Sequence, residues 1–338
     1  MFKEFTRMHR RRILCLPIGL AIVALAAGCP RSAQKASGPP TVRVAFFPNI
    51  THAAALHASA SGAFHDALGS KGVLEEHVFS AGPAEIEALF AGEVDFGYIG
   101  PGPAINGYEK SGGKALRIVS GAASGGAGLA ARKGVPISGI KDLSGKRIAV
   151  PQTGGSQDIS LRTALRAAGL ESKDKGGSVD VLQFAPADAL VRMERGEIDA
   201  AWLPEPWVSR LERELGARLV LDERTLWPGK RFSTAVVIVR TAFAEEHPDL
   251  VEALLGAHRR SVEAFAKDPE RARRIVGEKI AELNAGKKIP DAILQSSFER
   301  TEITTDRLEE SILLFADRAK ELGYLRKGAA SLADLFAR

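Results

Sequence analysis

From Thr41 onward, short apolar runs of strand length alternate with amphipathic stretches of helical spacing, and this constrains the fold more than any other feature of the chain. Strands separated by a helix's worth of residues cannot pair as hairpins, so the pattern predicts parallel strands joined by helices, an α/β architecture. Residues 42–46 (Val-Arg-Val-Ala-Phe) read as the first strand, and a helix from about Thr51 stops before Gly62. Val78-Phe79 reads as a second short strand. Pro83 opens a helix with Glu85 and Glu87 near its positive end, and Gly92 closes it. Residues 96–99 and 116–120 complete a first series of strands.

A second series of the same construction follows. Residues 128–132 read as an extended crossing, and 147–150, 179–184, 200–203 and 218–221 as strands, with helices over 156–168 and from about Pro186 and Pro204. Residues 232–239 form a β-branched strand, after which 248–267, 269–283, 290–297 and 305–322 all read as helical. A chain of 338 residues is long enough for two lobes. The order of elements predicts lobe 1 from 41–131 plus 232–338 and lobe 2 from 132–231, with the chain returning to the first lobe to complete it.

The first residues read as an export signal. A basic run ending at Arg10-Arg11-Arg12 precedes an apolar stretch, 13–27, too short to span a bilayer comfortably. Leu25-Ala26-Ala27-Gly28-Cys29 places small residues before a cysteine, as in lipoprotein signals, so 1–29 is the leader and Cys29 the lipid attachment point. Residues 30–40, rich in Ser, Ala, Gly and Pro, make a flexible tether. Arg11-Arg12 leaves the general and twin-arginine export routes both open. Cys15 lies inside the apolar stretch, so no internal disulfide is expected in the mature chain. The leader also carries most of the basic excess: without it 41 basic residues face 40 acidic ones, which removes any electrostatic argument for nucleic acid.

No Gly-x-Ser-x-Gly elbow, phosphate loop, His-Glu-x-x-His or cysteine pair is present. His52 and His57 are five apart, which puts them on different helix faces; His52 reads as a surface or capping residue or a ligand contact, and no metal or other cofactor is expected. The most informative stretch is 151–158 (Pro-Gln-Thr-Gly-Gly-Ser-Gln-Asp), between a strand and a helix. Its glycines, hydroxyls and helix start suit an oxyanion without a cationic side chain; it also suits a plain turn capped by Ser156. The small-residue run 120–127 reads as a second loop of this kind, and 97–104 and 47–52 also follow strands and open helices. Glu205, between Trp202 and Trp207, reads either as acceptor for a ligand ammonium or as a helix cap, and Lys230 and Arg231 either close over an anion or stay solvated.

Residues 79–108, with Ala81-Gly82-Pro83, Glu87-Ala88-Leu89, Ala91-Gly92-Glu93, Asp95 and 97–104, resemble the aliphatic-sulfonate, taurine and nitrate group of periplasmic solute-binding proteins. Asp142-Leu143-Ser144-Gly145-Lys146, 151–158, Gly196-Glu197-Ile198-Asp199, Glu205-Pro206-Trp207 and Leu226-Trp227-Pro228 follow in that group's order, so the likeness covers about 41–260. It implies a two-lobed periplasmic-binding-protein fold of type II, two α/β lobes joined by two crossing strands, with a buried ligand and no catalysis. By position it implies anion contacts at Asn49, Gly100, Pro101, Ser124, Gly125, Thr153, Gly154, Gly155, Ser156 and Gln157, with Glu205 near the organic end. Asn49-Ile50-Thr51-His52 departs from the group's small apolar stretch there, which leaves alkanesulfonate, taurine, nitrate, phosphonate and aromatic sulfonate open. The expected role is capture of a small organic anion for an ABC permease in the cytoplasmic membrane, by a monomer in the periplasm or lipid-anchored at the outer face of the cytoplasmic membrane. The alternatives are a sensory domain, or an enzyme on this fold that makes a thiamine pyrimidine precursor. The latter uses a cysteine- and histidine-rich site, and no cysteine follows Cys29.

Overall fold

In a computed structural model the described residues are 38–325 and 331–336, so the leader, most of the tether and Cys29 lie outside them. The chain runs β1 (Thr41–Phe46), α1 (Ala53–Ala60), α2 (Ala63–Leu68), β2 (Val73–Val78), α3 (Gly82–Phe90), β3 (Phe96–Ile99), α4 (Pro101–Lys110) and β4 (Leu116–Gly125). It then crosses into β5 (Ala127–Ala131), β6 (Arg147–Val150), α5 (Ser156–Ala167), β7 (Asp180–Gln183), α6 (Pro186–Glu194), β8 (Ala200–Pro204), α7 (Trp207–Leu215) and β9 (Arg218–Asp222). It returns with β10 (Ser233–Arg240), α8 (Thr241–Glu246), α9 (Pro248–Lys267), α10 (Pro269–Leu283), α11 (Asp291–Arg300), β11 (Thr301–Ile303) and α12 (Glu309–Glu321).

These strands form two mixed sheets, ordered β11-β4-β10-β3-β1-β2 and β7-β6-β8-β5-β9. In each, a parallel core carries an antiparallel strand, β10 beside β3 and β5 beside β8. Apolar residues such as Phe46 and Val237 pack under α1, α9 and α10, while Ala45 and Ile238 face the side covered by α3, α4 and α12. The second sheet is covered the same way, with Leu161 and Leu165 of α5 on one face and Met193 of α6 and Leu211 of α7 on the other. Burial on both faces explains why its inner strands β5, β6 and β8 read as continuous apolar runs.

One device recurs in both halves. Asp95 accepts from the Arg43 amide and from the Arg43 and Arg240 side chains, and Asp199 accepts from the Arg147 amide and from the Arg147 and Arg132 side chains. Each aspartate thus ties the start of one parallel strand to its neighbour. The Arg147 hydrogen bonds hold the Asp199 carboxyl down to about 2, burial opposing. The repeated Gly-Glu-x-Asp segments, 92–95 and 196–199, serve this joint.

Several boundaries differ from the sequence reading. Strand β2 spans Val73–Val78 and pairs with all of β1, although its Glu75, Glu76 and His77 carry no apolar signature, because it is an edge strand held by backbone pairing. Strand β4 continues through Gly125, so 120–125 is not a loop: it pairs with β10 and β11. Its small residues answer crowding, since a Cβ on Gly121 would lie 1.9 Å from the Asp306 carbonyl oxygen. The first crossing therefore falls at Gly125-Gly126, both with φ +72°, and Ala127–Ala131 belongs to the second sheet, where the sequence reading put it in the first lobe. After β10 the chain is not all helix, because β11 extends the first sheet beside β4.

Candidate functional site

The loops that leave the carboxyl ends of β1, β2, β3, β6 and β8 converge on a cavity of about 50 Å³ between the two sheets. This is where open α/β sheets place ligands. Asn49, His52, Gly100, Gly155, Ser156 and Gln157 line it, together with Thr51, Ser80, Gly82, Gln152 and Thr234. None of the described lining residues is Asp, Glu, Lys or Arg.

His52 and Asn49 have their donor roles fixed by their other bonds. The Phe47 amide donates to His52 Nδ1 at 3.2 Å, so that nitrogen carries no proton and Nε2 carries it. Burial pushes the imidazolium down to about 3, and the ring, stacked on Phe47, is a neutral donor at physiological pH. Trp207 Nε1 donates to Asn49 Oδ1 at 3.1 Å, which only the amide oxygen can accept, leaving Asn49 Nδ2 as a donor. At the start of α5 the first-turn amides of Ser156 and Gln157 have no protein acceptor, as helix geometry requires of uncapped ends. The start of α3, after Ser80-Ala81, likewise has no side-chain cap and points its dipole at the same cavity.

The start of α4 does not act as the sequence suggested. Pro101 and Pro103 have no N–H, the Gly102 amide donates to Ser156 Oγ at 3.3 Å, and the Ala104 amide donates to the Gly100 carbonyl. This end is instead a contact between the two halves: a Cβ on Gly100 would lie 2.5 Å from Ser156 Oγ. Other bonds span the same gap. The Ile50 amide donates to the Glu205 carbonyl at 2.9 Å, and Tyr324 Oη donates to Asp158 Oδ2 at 2.5 Å. Buried Asp158 also accepts from the Gly154 amide and from Arg162, so the 153–155 loop is held from behind.

Six positions named from the sequence lie off the cavity. Pro101 is buried in the α4 end, and Ser124 and Gly125 are inside β4, the Gly125 carbonyl accepting from Thr234. The Thr153 amide donates to Gln183 Oε1, and Gly154 turns the loop with φ +75°. Glu205 is fully buried, and its carboxylate accepts from the Ser209 amide and hydroxyl, Ser297 Oγ and Arg300 at 2.9 to 3.1 Å. It caps α7 and joins α11, with nothing left for a ligand ammonium. Burial raises its pKa, the Ser209 and Arg300 bonds opposing. Arg231 pairs with Glu302 and Asp306 and does not close over the cavity. Thr51 and Gln152 lie within the candidate loops 47–52 and 151–158 but were not named as contacts; Ser80 stands beside the Ala81-Gly82-Pro83 helix start, and Thr234, inside a β-branched strand, had no signal.

Two α/β halves, crossed twice by the chain and meeting over a cavity at their strand ends, define a protein of the periplasmic-binding-protein fold. The alkanesulfonate-binding protein of Xanthomonas axonopodis pv. citri bound to MOPS superposes with a TM-score of 0.72 at 19% identity, covering 88% of this chain and 99% of that one. The nitrate-binding protein of Synechocystis PCC 6803 gives 0.67 at 15% identity over 86% and 83%. The chain belongs to the NMT1-like family, whose profile matches residues 35–280. A Bacillus subtilis protein provisionally named aliphatic sulfonates-binding is 28% identical over 294 residues, covering 85% of this chain and 83% of that one. The taurine-binding periplasmic protein of Escherichia coli is 29% identical over 175 residues, 52% of each chain. These relatives are named as binding proteins.

Proposed function

We propose that this chain is the solute-binding component of an ABC importer and holds the anionic head of an organic sulfonate in the cavity between its sheets. The observation that carries the reading is the lining: neutral donors at His52 and Asn49, unbonded amides at Ser156 and Gln157, and the positive ends of α3 and α5. A hydrogen bond to a charged group contributes about 1.5 to 3 kcal/mol, and a partly buried helix end up to about 2, so this set holds a monoanion without a countercharge. The sulfonate- and taurine-binding relatives support the same ligand class.

The two halves act as rigid lobes that hinge at Gly125-Gly126 and at 223–232, and the contacts across the gap form when they close on ligand. Closure is the signal a membrane permease reads. The chain serves as a monomeric receptor rather than an enzyme, exported by its leader and anchored through lipid on Cys29. Replacement of Cys29 by alanine should move the protein from membranes to the soluble fraction; continued membrane fractionation would contradict the anchor.

A thermal-shift panel of alkanesulfonates, taurine, nitrate, sulfate and phosphonates tests the ligand class. A ligand that binds only the folded state adds about 2.7 kcal/mol at a hundredfold excess over its Kd. Stabilisation by sulfonates supports the reading; stabilisation by nitrate or phosphonate alone, or by none, overturns it.

A further inference from the structure

Resting on that reading of the head site, we infer that capture of the anion is linked to protonation of Glu223, behind the donors of α5, so that affinity rises as pH falls. Glu223 opens the second crossing between the halves, and it is 2% exposed. Its Oε1 accepts from Ser160 Oγ at 2.5 Å and its Oε2 from Trp202 Nε1 at 2.7 Å. Ser160 stands one turn behind Ser156, on the helix whose first amides face the cavity. The crossing and the anion-binding helix are thus joined through one buried carboxyl.

The surroundings of this carboxyl set it apart. Buried Asp95, Asp158, Asp199 and Glu205 each pair with an arginine, whereas among the described residues no lysine or arginine touches Glu223. Arg318 of α12 acts on it by charge alone: its guanidinium lies over the Trp227 ring at 4.1 Å and donates to the Leu226 carbonyl. The Trp227 indole N–H also faces the carboxyl. Arg224 beside it pairs with Asp222, the Asp158 and Arg162 of α5 pair with each other, and β8 carries no titratable side chain. Burial pushes Glu223 up to about 7, the Ser160, Trp202 and Trp227 donors and the Arg318 charge opposing. Protonated, it donates to Ser160 Oγ and keeps Trp202 on its carbonyl oxygen, so both states are satisfied.

A helix rises 1.5 Å per residue, so the carboxyl lies about 10 Å from a head held at the Ser156 amide. Two like charges at that separation, in the effective dielectric of a protein, repel enough to change an equilibrium about tenfold. An anion in the cavity therefore raises the Glu223 pKa further, and binding near neutral pH takes up a proton from solvent. Affinity is highest where Glu223 is already neutral and falls as pH rises through about 7. Two other buried groups beside the cavity do not change charge in this range: His52 is held down to about 3, and burial raises Glu85, in the first turn of α3, well above the usual carboxylate range.

Calorimetric titration of the full chain with ethanesulfonate, which does not titrate in this range, tests the linkage in sulfonate-free buffers at about pH 5.5, 7 and 8.5. Parent affinity should fall about tenfold from the lowest pH to the highest, and the dependence of the enthalpy on buffer should report proton uptake near pH 7. Glu223→Gln keeps both hydrogen bonds on an uncharged side chain. It should bind at every pH within about twofold of the parent at its tightest, without proton uptake. Ser160→Ala removes a donor to the ionised form and should move the transition to higher pH. A flat or inverted parent profile, a profile retained in Glu223→Gln, or an unmoved transition in Ser160→Ala would each overturn the linkage while leaving the head site standing. Failure of ethanesulfonate to bind the parent at any pH would overturn the head site and this inference with it.

Discussion

A methyl group at residue 100 probes whether the closed gap is the binding state. In Gly100→Ala the new Cβ lies 2.5 Å from Ser156 Oγ, against 3.4 Å for ordinary contact, while the backbone, at φ −70°, accepts alanine without strain. The hydroxyl must rotate away, losing the Gly102 amide, or the halves must part. Overpacking of this kind costs about 1 to 3 kcal/mol, so affinity should fall by roughly 5- to 150-fold. Ser156→Ala alone removes the hydroxyl and should cost about tenfold, the loss of one hydrogen bond. With both changes the closest Ser156 atom facing the new methyl is Cβ at 3.5 Å, an ordinary contact. The double variant should therefore bind no worse than Ser156→Ala, a coupling that only direct contact across the gap produces. Calorimetric titration with the best sulfonate measures all four proteins, and melting of the free forms should be unchanged. Multiplied losses in the double variant, or parent-like affinity in Gly100→Ala, would refute the reasoning.

Glu205→Gln should lower the melting temperature, because it weakens a buried ion pair whose loss costs about 3 kcal/mol or less where Arg300 keeps Glu212. It should weaken taurine and ethanesulfonate equally; selective loss of taurine in titration would restore Glu205 to the ligand. Tyr324→Phe removes a bond from the end of α12 to Asp158 across the gap and should cost about tenfold in sulfonate affinity, while Asp158 keeps Gly154 and Arg162. Unchanged affinity would remove Tyr324 from the closure. Asp199 has a depressed carboxyl pKa, so its stabilisation is present above about pH 4 and is lost as pH falls toward about 2. With Arg147 partly exposed, Asp199→Asn should cost about 1 to 2 kcal/mol in denaturant unfolding at pH 7 and lose that deficit near pH 2; an equal deficit at both values would contradict the linkage.

The two-sheet plan was legible because strands buried on both faces, such as β8 and β10, leave unbroken apolar runs, and because prolines and glycines mark the helix ends between them. Strand β2 was seen only at its Val78 end because edge pairing needs no apolar side chains, and β11 escaped because three residues make no period. The run 120–125 was misread as a loop since small side chains look alike in a turn and in a crowded strand. At the site, the Gly155-Ser156-Gln157 helix start could be read from its local chemistry. Glu205 could not be resolved, because the partners that consume its carboxylate, Ser297 and Arg300, lie 92 and 95 residues away. The proline-rich start of α4 invited an anion role that its missing N–H groups deny.

A crystal structure of the chain with hexanesulfonate tests the central claim most directly. The account predicts sulfonate oxygens at about 2.7 to 3.1 Å from the Ser156 and Gln157 amides, His52 Nε2 and Asn49 Nδ2, with no lysine or arginine in contact with the head. A sulfonate paired with a cationic side chain, or bound outside the cavity between the sheets, would contradict it.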